Sequence, residues 1–185
     1  MRVLVAYASR TSFTKGIAEF IGERLREHGT QVDVQGVDSV KNLTGYDAFV
    51  IGSALYNLHW LKEAKSFVSN NRALLCTRPV WLFSDGPVGT KTTDAQGRDL
   101  GDVSGPNEID QLREAVKPRD HRVFFGALDG SRLTGAIGFA YRMARSQAAR
   151  ESIPEGDFRD WKEIESWASG IAEALPTVPD DEAIL

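Results

Sequence analysis

Four hydroxyl side chains, Ser9, Thr11, Ser12 and Thr14, crowd into six residues directly after the apolar run Val3–Tyr7. The residues that follow carry Ile17, Ala18, Ile21 and Leu25 at helical spacing and stop at Gly29. A strand that runs straight into a helix presents unpaired backbone N–H groups and the positive end of the helix dipole. With hydroxyls added, the natural guest is a phosphate. An ordinary N-cap explains any one of these hydroxyls but not four. The stretch has no glycine before Gly16, which excludes both the GxGxxG dinucleotide fingerprint and the GxxxxGK[ST] nucleotide loop.

Two later segments have the composition of ligand loops. GSALYNLHW, residues 52 to 60, begins with Gly52, Ser53 and Ala54, small enough for a flat ligand to reach the backbone. Tyr56 then offers an aromatic face, whereas Trp60 is expected to open the next helix and pack in the core. SDGPVGT, residues 84 to 90, places Gly86 and Gly89 around Asp85 and Pro87. Backbone N–H groups there can bond the polar edge of a ring, although Asp-Gly-Pro also makes a plain turn. The polar stretch from there to Asn107, with Gly97, Gly101, Gly105 and Pro106, is read as either a mobile segment or a lid. His28, His59 and His121 are far apart and lack cysteine or acidic neighbours at ligand spacing, so no metal site is expected. Of the three, His59 lies near the expected pocket and the others are read as structural. No Ser-His-Asp set or carboxylate pair is defensible, and no side chain is assigned a catalytic role. The chemistry belongs to a cofactor that the protein binds and orients.

The elements that must position these loops alternate along the chain. Buried strands are expected at Val3–Ala8, Tyr46–Gly52, Val80–Ser84 and Arg122–Ala127, with a less regular outer strand at Gln31–Val37. Helices are expected at Thr14–His28, Leu61–Leu75, Glu108–Val116 and Asp157–Leu175. One crossover, after the second strand, is loop rather than helix. Such alternation predicts a doubly wound α/β fold, a five-stranded parallel sheet in the order 2-1-3-4-5. Ligands of such sheets bind at the carboxyl ends of the strands, where the three loops lie. The chain has 185 residues, 42% of them hydrophobic and 26% charged, so residues 1–175 are read as one domain and 176–185 as a loose tail. A net charge of -4 argues against a nucleic-acid binder. The lone cysteine, Cys76, beside Leu74 and Leu75, is expected to pack in the core, and its solitude suits a reducing, cytoplasmic setting.

A helical insertion, about residues 129–157, is expected between the last strand and the last helix. Its segment 130–150 carries Arg132, Arg142, Arg145 and Arg150 and no acidic residue, with Leu133, Ile137, Phe139, Tyr141 and Met143 as apolar surface. Such a basic amphipathic stretch suits peripheral contact with the inner face of a membrane or an acidic ligand, or else packs as a solvated helix on the sheet edge.

Taken together, YASRTSFTKGIA, IGSALYNLHWLKEA, FSDGPVG and GDFRDWKEIESWA resemble the flavodoxin-domain family, and within it the menaquinone-dependent protoporphyrinogen dehydrogenases of heme synthesis. The resemblance covers nearly the whole chain and implies a flavodoxin-like fold and bound FMN. Carried over residue by residue, Ser9, Arg10, Thr11, Ser12, Phe13 and Thr14 hold the phosphate. Ser53, Ala54, Leu55, Tyr56 and Asn57 flank the ring on one side, and Ser84, Asp85, Gly86, Pro87 and Gly89 on the other. The commoner family pattern has Gly-Asn where this chain has Ser12-Phe13. The departure leaves weaker FMN binding or a deazaflavin (F420) as alternatives. The implied activity is flavin-dependent oxidation of protoporphyrinogen IX with a quinone acceptor. The alternatives are a flavodoxin-type electron carrier between proteins and a fold relative that binds its ligand without turnover.

Overall fold

The computed structural model describes residues 1–86, 97, 105–129 and 155–175. Five strands pair in parallel: β1 (Arg2–Ala8), β2 (Gln31–Gly36), β3 (Ala48–Tyr56), β5 (Val80–Asp85) and β6 (Asp120–Phe124). Their order is β2-β1-β3-β5-β6, the expected 2-1-3-4-5 arrangement once the short β4 (His59–Trp60) is set aside. The α/β flavodoxin-like fold is therefore present.

Buried on both faces, the inner strands are continuous apolar runs whose alternate residues divide between two cores. Leu4, Ala6, Phe49, Ile51 and Leu82 face α2 (Lys62–Asn70), α3 (Arg72–Leu75) and α4 (Ile109–Val116). Val3, Val5, Val50, Trp81 and Phe83 face α1 (Phe13–Glu27) and α5 (Trp161–Ala174). Each aliphatic side chain so buried stabilises the fold by about 1.5–3 kcal/mol. A single 3-10 turn, Val37–Ser39, follows β2 where the sequence shows no helix.

Several boundaries differ from the sequence reading. The third strand does not end at Gly52. It runs to Tyr56, and Asn57 and Leu58, at φ 51° and 60°, turn the chain back so that β4 pairs with β3. Ser53–Tyr56 are thus strand residues held by the sheet, not a loop. The helix expected at Leu61–Leu75 breaks at Asn71, whose side-chain amide donates to the Phe67 carbonyl and competes with continuation. The last long strand stops at Phe124 rather than Ala127. Beyond it β7 (Ala127–Leu128) pairs antiparallel with β8 (Gly156–Asp157) in a short clasp. The expected insertion helix, the lid of residues 90–107 apart from Gly97 and residues 105–107, and the tail 176–185 lie outside the described residues. Cys76 is exposed, not buried. α3 is one turn long and buries Leu75, which leaves the next residue facing out. Among the described residues no helix is long and apolar enough to cross a membrane.

One close approach governs the sheet centre. Gly52 of β3 lies opposite Phe83 of β5, and the Phe83 ring occupies the space where a Cβ on Gly52 would stand. Gly52 therefore makes room for a core aromatic, not for a ligand. Phe83 in turn packs against Phe124 and Trp167 at ring-centroid distances of 6.2 and 6.3 Å. Gly52→Ala is expected to push this cluster apart and cost about 1–3 kcal/mol, read as a lower urea midpoint with an unchanged m-value.

Candidate functional site

The sheet register sets the site. Ala8 pairs with Ser53, Ser53 with Ser84, and Ser84 with Val123. This row is the carboxyl edge, and the three segments picked from sequence all reach it. The chain turns one way from β1 to β2 and the other way from β1 to β3, so the first loop sits at the switch point of the sheet.

In the first loop the hydroxyls part company. Ser12 stands at the N-cap of α1 in a left-handed conformation, φ 70°, and its side chain makes no capping bond. Its backbone adopts the shape that glycine takes without cost, whereas a side chain there costs about 1–2 kcal/mol. The Ser9 hydroxyl oxygen is buried and has no hydrogen-bond partner among the described residues, an arrangement that costs about 1–3 kcal/mol unless a ligand offsets it. Thr14 is fully buried, and its Oγ1 donates to Asp85 Oδ2 at 2.7 Å. Arg10 lays its guanidinium over the Tyr56 ring, 5.0 Å from the centroid, and Thr11 hydrogen-bonds to the Tyr56 side chain. Burial raises the Tyr56 phenol; Asp85 adds to the rise, while Arg10 and Thr11 oppose it. The structure thus brings Arg10, Thr11, Tyr56, Thr14 and Asp85 into one neighbourhood.

Arg159 closes this neighbourhood from the far end of the chain. It donates to both carboxylate oxygens of Asp157 and to the Phe13 carbonyl in the first turn of α1. Its guanidinium lies 4.4 Å from the Trp161 ring centroid and 5.6 Å from that of Phe13. A Cβ on Gly16 would stand 2.9 Å from Arg159 Nη1, so Gly16 serves close packing. The Phe158 N–H donates to the Gly126 carbonyl, and a Cβ on Gly126 would stand 2.6 Å from Asp85 Oδ1. The β7–β8 clasp therefore sits against the site.

The other side of the edge is committed to internal bonds. Ser53 Oγ donates to the Ala54 carbonyl and accepts from the Leu61 N–H. Ser84 Oγ accepts from Trp60 Nε1 at 2.8 Å and lies 2.9 Å from His121 Nε2. The indole can only donate, so Ser84 Oγ accepts from it and keeps its own proton and a second acceptor site for the imidazole. Trp60 is a core residue, as expected, and His121 is structural. The Gly86 N–H donates to the Phe124 carbonyl and so is not available to a ring edge; Gly86 itself fits tightly against Val123 and Leu55. Pro87 and Gly89 lie outside the described residues. Leu55 is half-buried against the core, Ala54 is buried, and Asn57 is exposed at the hairpin tip. Exposed His59 bonds Glu108 at 2.8 Å, and Glu108 also takes the Trp60 N–H and Lys65. Burial pushes the Glu108 carboxyl up, but these bonds outweigh it and hold it below the ordinary range.

Sequence reasoning did not find Arg159, Glu108 or the Thr14–Asp85 pair. The available hint for the last is an acid at the very end of the apolar run VWLFS, where the strand is still buried on both faces.

Two buried groups titrate abnormally. Burial pushes the Asp85 carboxyl up to about 6, with Asp157 helping and Thr14 and Arg159 opposing. Burial pushes His121 down to about 4, Arg113 adding to the effect and Asp120 opposing it. Folded Asp85 holds its proton more tightly than the unfolded chain does. Its stabilising share is full below pH 3.8 and lost as pH rises through about 6. His121 does the reverse: its share is full above pH 6.5 and lost as pH falls toward about 4. The two slopes offset each other. Asp85→Asn is expected to expose the histidine slope, losing about 2.5 kcal/mol of unfolding free energy between pH 7 and 4.5, whereas the native chain loses under about 1 kcal/mol. Urea unfolding at the two pH values checks this, and parallel losses would contradict it.

Residues 4–149 match the family model described as Flavodoxin domain. The chain is 22% identical over 182 residues to protoporphyrinogen IX dehydrogenase (quinone) of Escherichia coli strain K12, covering 93% of this chain and 95% of that one. Among solved structures, the Streptococcus pneumonia TIGR4 flavodoxin is similar with a TM-score of 0.59 and 14% identity, over 95% of this chain and all of that one, 100%. The oxidised Flavodoxin 2 from Bacillus cereus is similar with a TM-score of 0.58 and 16% identity, over 95% and 100%. The structural likenesses speak for the fold; the family match spans most of the sequence, and the chain belongs to the flavodoxin-domain family.

Proposed function

We propose that this chain binds FMN with its phosphate in the Ser9–Thr14 loop and works as a flavin-dependent oxidoreductase. We further propose protoporphyrinogen IX as the compound oxidised and a quinone as the acceptor. The observation that carries the cofactor is the buried Ser9 hydroxyl, without a partner among the described residues, beside the N-cap of α1, whose side chain makes no capping bond. A polar atom left unsatisfied inside a protein calls for a partner, and a phosphate oxygen at a helix N-terminus is a fitting one. Ser12 supports this reading. It holds the left-handed backbone despite its side chain, so the loop keeps a glycine-like shape that the sequence alone put in doubt. The flavodoxin-domain match supports a flavin as the guest.

In this reading the chain's own residues bind and orient. Ser9, Thr11 and the first N–H groups of α1 hold the phosphate, Arg10 adds a positive charge over Tyr56, and Tyr56 supplies a ring surface beside Ala54 and Leu55. Arg159 locks the first turn of α1 in place through the Phe13 carbonyl. Bound FMN supplies the acceptor for the hydrogens removed from the substrate. The substrate class rests on the Escherichia coli relative, similar along nearly its full length, and on the arginines of segment 130–150, which suit the carboxylates of a porphyrin.

Ser9→Ala separates binding from folding. Removing an orphan hydroxyl is expected to leave apo-protein stability unchanged or slightly raised, and to weaken FMN by roughly tenfold, about 1.4 kcal/mol. Flavin fluorescence quenching and thermal unfolding read the two effects; unaltered FMN affinity would count against the loop assignment. For the substrate, holo-protein with protoporphyrinogen IX and a menaquinone analogue under anaerobic conditions is expected to develop porphyrin fluorescence above a free-FMN control. Fluorescence no greater than that control would remove the porphyrin claim and leave an electron carrier.

A further inference from the structure

The Thr14–Asp85 bond presents a conflict with a phosphate in this loop. Thr14 is in the first turn of α1, fully buried, and its one proton is spent on Asp85 Oδ2 at 2.7 Å. Asp85 is buried at the end of β5, with Gly126 packed against its other oxygen. A carboxylate and a phosphate dianion competing for the same threonine repel each other strongly where water is excluded. We propose that Asp85 is a positioning residue that takes up a proton when a phosphate monoester enters the Ser9–Thr14 loop; this rests on the phosphate reading above.

The proton comes from solvent and goes to Asp85 Oδ2. The bond then reverses: the neutral carboxyl donates to Thr14 Oγ1, and the threonine O–H is released to donate to a phosphate oxygen. A threonine hydroxyl has one donor and two acceptor sites, so it can serve both at once. The groups facing Asp85 make the exchange accessible near neutrality. Arg159 favours its charged form, Asp157 and burial favour its neutral form, and the Tyr56 phenol and Arg10 stand on the β3 side. The net result is a carboxyl poised at about 6, where an added dianion tips it to the protonated state.

The test is FMN binding to the full chain at pH 6, 7 and 8, with riboflavin as the ligand that lacks the phosphate. Affinity for FMN is expected to fall roughly twentyfold from pH 6 to 8, even though the dianionic fraction of the phosphate about doubles over that range. Calorimetry at pH 7 in two buffers of different ionisation heat should show net proton uptake with FMN. Asp85→Asn keeps a carbonyl for Thr14 and an amide donor. It is expected to bind FMN with an affinity that changes no more than about twofold between pH 6 and 8, more tightly than the native chain at pH 8, and with no proton uptake. A merely structural Asp85 predicts the opposite, weaker binding in Asp85→Asn with the pH profile unaltered, and that result overturns the proposal. So does native FMN binding without proton uptake, which needs no variant and decides the matter if Asp85→Asn does not fold. Riboflavin binding with the same proton uptake also overturns it, because the phosphate is then not the trigger. If FMN fails to bind either protein at any of the three pH values, it is the flavin reading that falls, and this inference with it.

Discussion

The parallel register at the carboxyl edge is the constraint on which the rest depends. Ala8, Ser53, Ser84 and Val123 form one transverse row, so three segments far apart in sequence begin their loops at one level. In the row directly below it, Gly52 lets the Phe83 ring lie across β3. The same ring anchors the aromatic cluster beneath α5. Positioning of the loops and packing of the core are thus one problem, solved by a glycine in a strand where it would otherwise only weaken the ladder.

Above that row the chain accepts local costs. Ser12 occupies a left-handed conformation, the hairpin turn uses Asn57 and Leu58 with positive φ, and the Ser9 hydroxyl is buried without a partner. Each is unfavourable in the unliganded chain, and the first and last lie in one loop. Such strain persists only where the surroundings over-determine it. Here Arg159 supplies the restraint, gripping the Phe13 carbonyl and packing between two aromatic rings. The clasp of β7 and β8 holds Asp157, to which Arg159 is paired, so the rigidity of the first loop is borrowed from the last quarter of the chain.

The element order and the doubly wound topology were legible because parallel strands buried on both faces leave unbroken apolar runs and the helices leave 3.6-residue patterns. The extension of β3 to Tyr56 was not. It depends on Asn57 and Leu58 turning with positive φ, and leucine has no local preference for that conformation. Cys76 misled for a related reason: apolar neighbours signal burial only when the helix is long enough to keep its face inward. At the candidate site the cluster of hydroxyls was visible, but their directions were not. Ser9 is left unpartnered, Thr14 reaches Asp85, and Ser53 and Ser84 bond within the protein, choices made by tertiary packing. Arg159 and Glu108 act across gaps of 146 and 49 residues, beyond any sequence pattern.

Strand parity explains how one edge carries two opposite electrostatic problems. Ser84 and Asp85 are adjacent in β5, so their side chains leave on opposite faces. Ser84 reaches Trp60 and His121 on the α2 side, and Asp85 reaches Thr14 on the α1 side. On the first face a base is buried where burial and Arg113 outweigh the opposing charge of Asp120, and it stays neutral. On the second an acid is buried with Arg159 nearby and a like charge, Asp157, behind it. Near neutral pH His121 is uncharged while Asp85 is largely ionised, so the α1 dipole, Arg10 and Arg159 are the positive terms that answer it at the loop. In a site of low dielectric those terms act at close range on whatever anion arrives. The hydroxyls alone would not make this loop selective for an anion; the positive terms do so, and the protonation of Asp85 that we infer removes the one competing charge behind them.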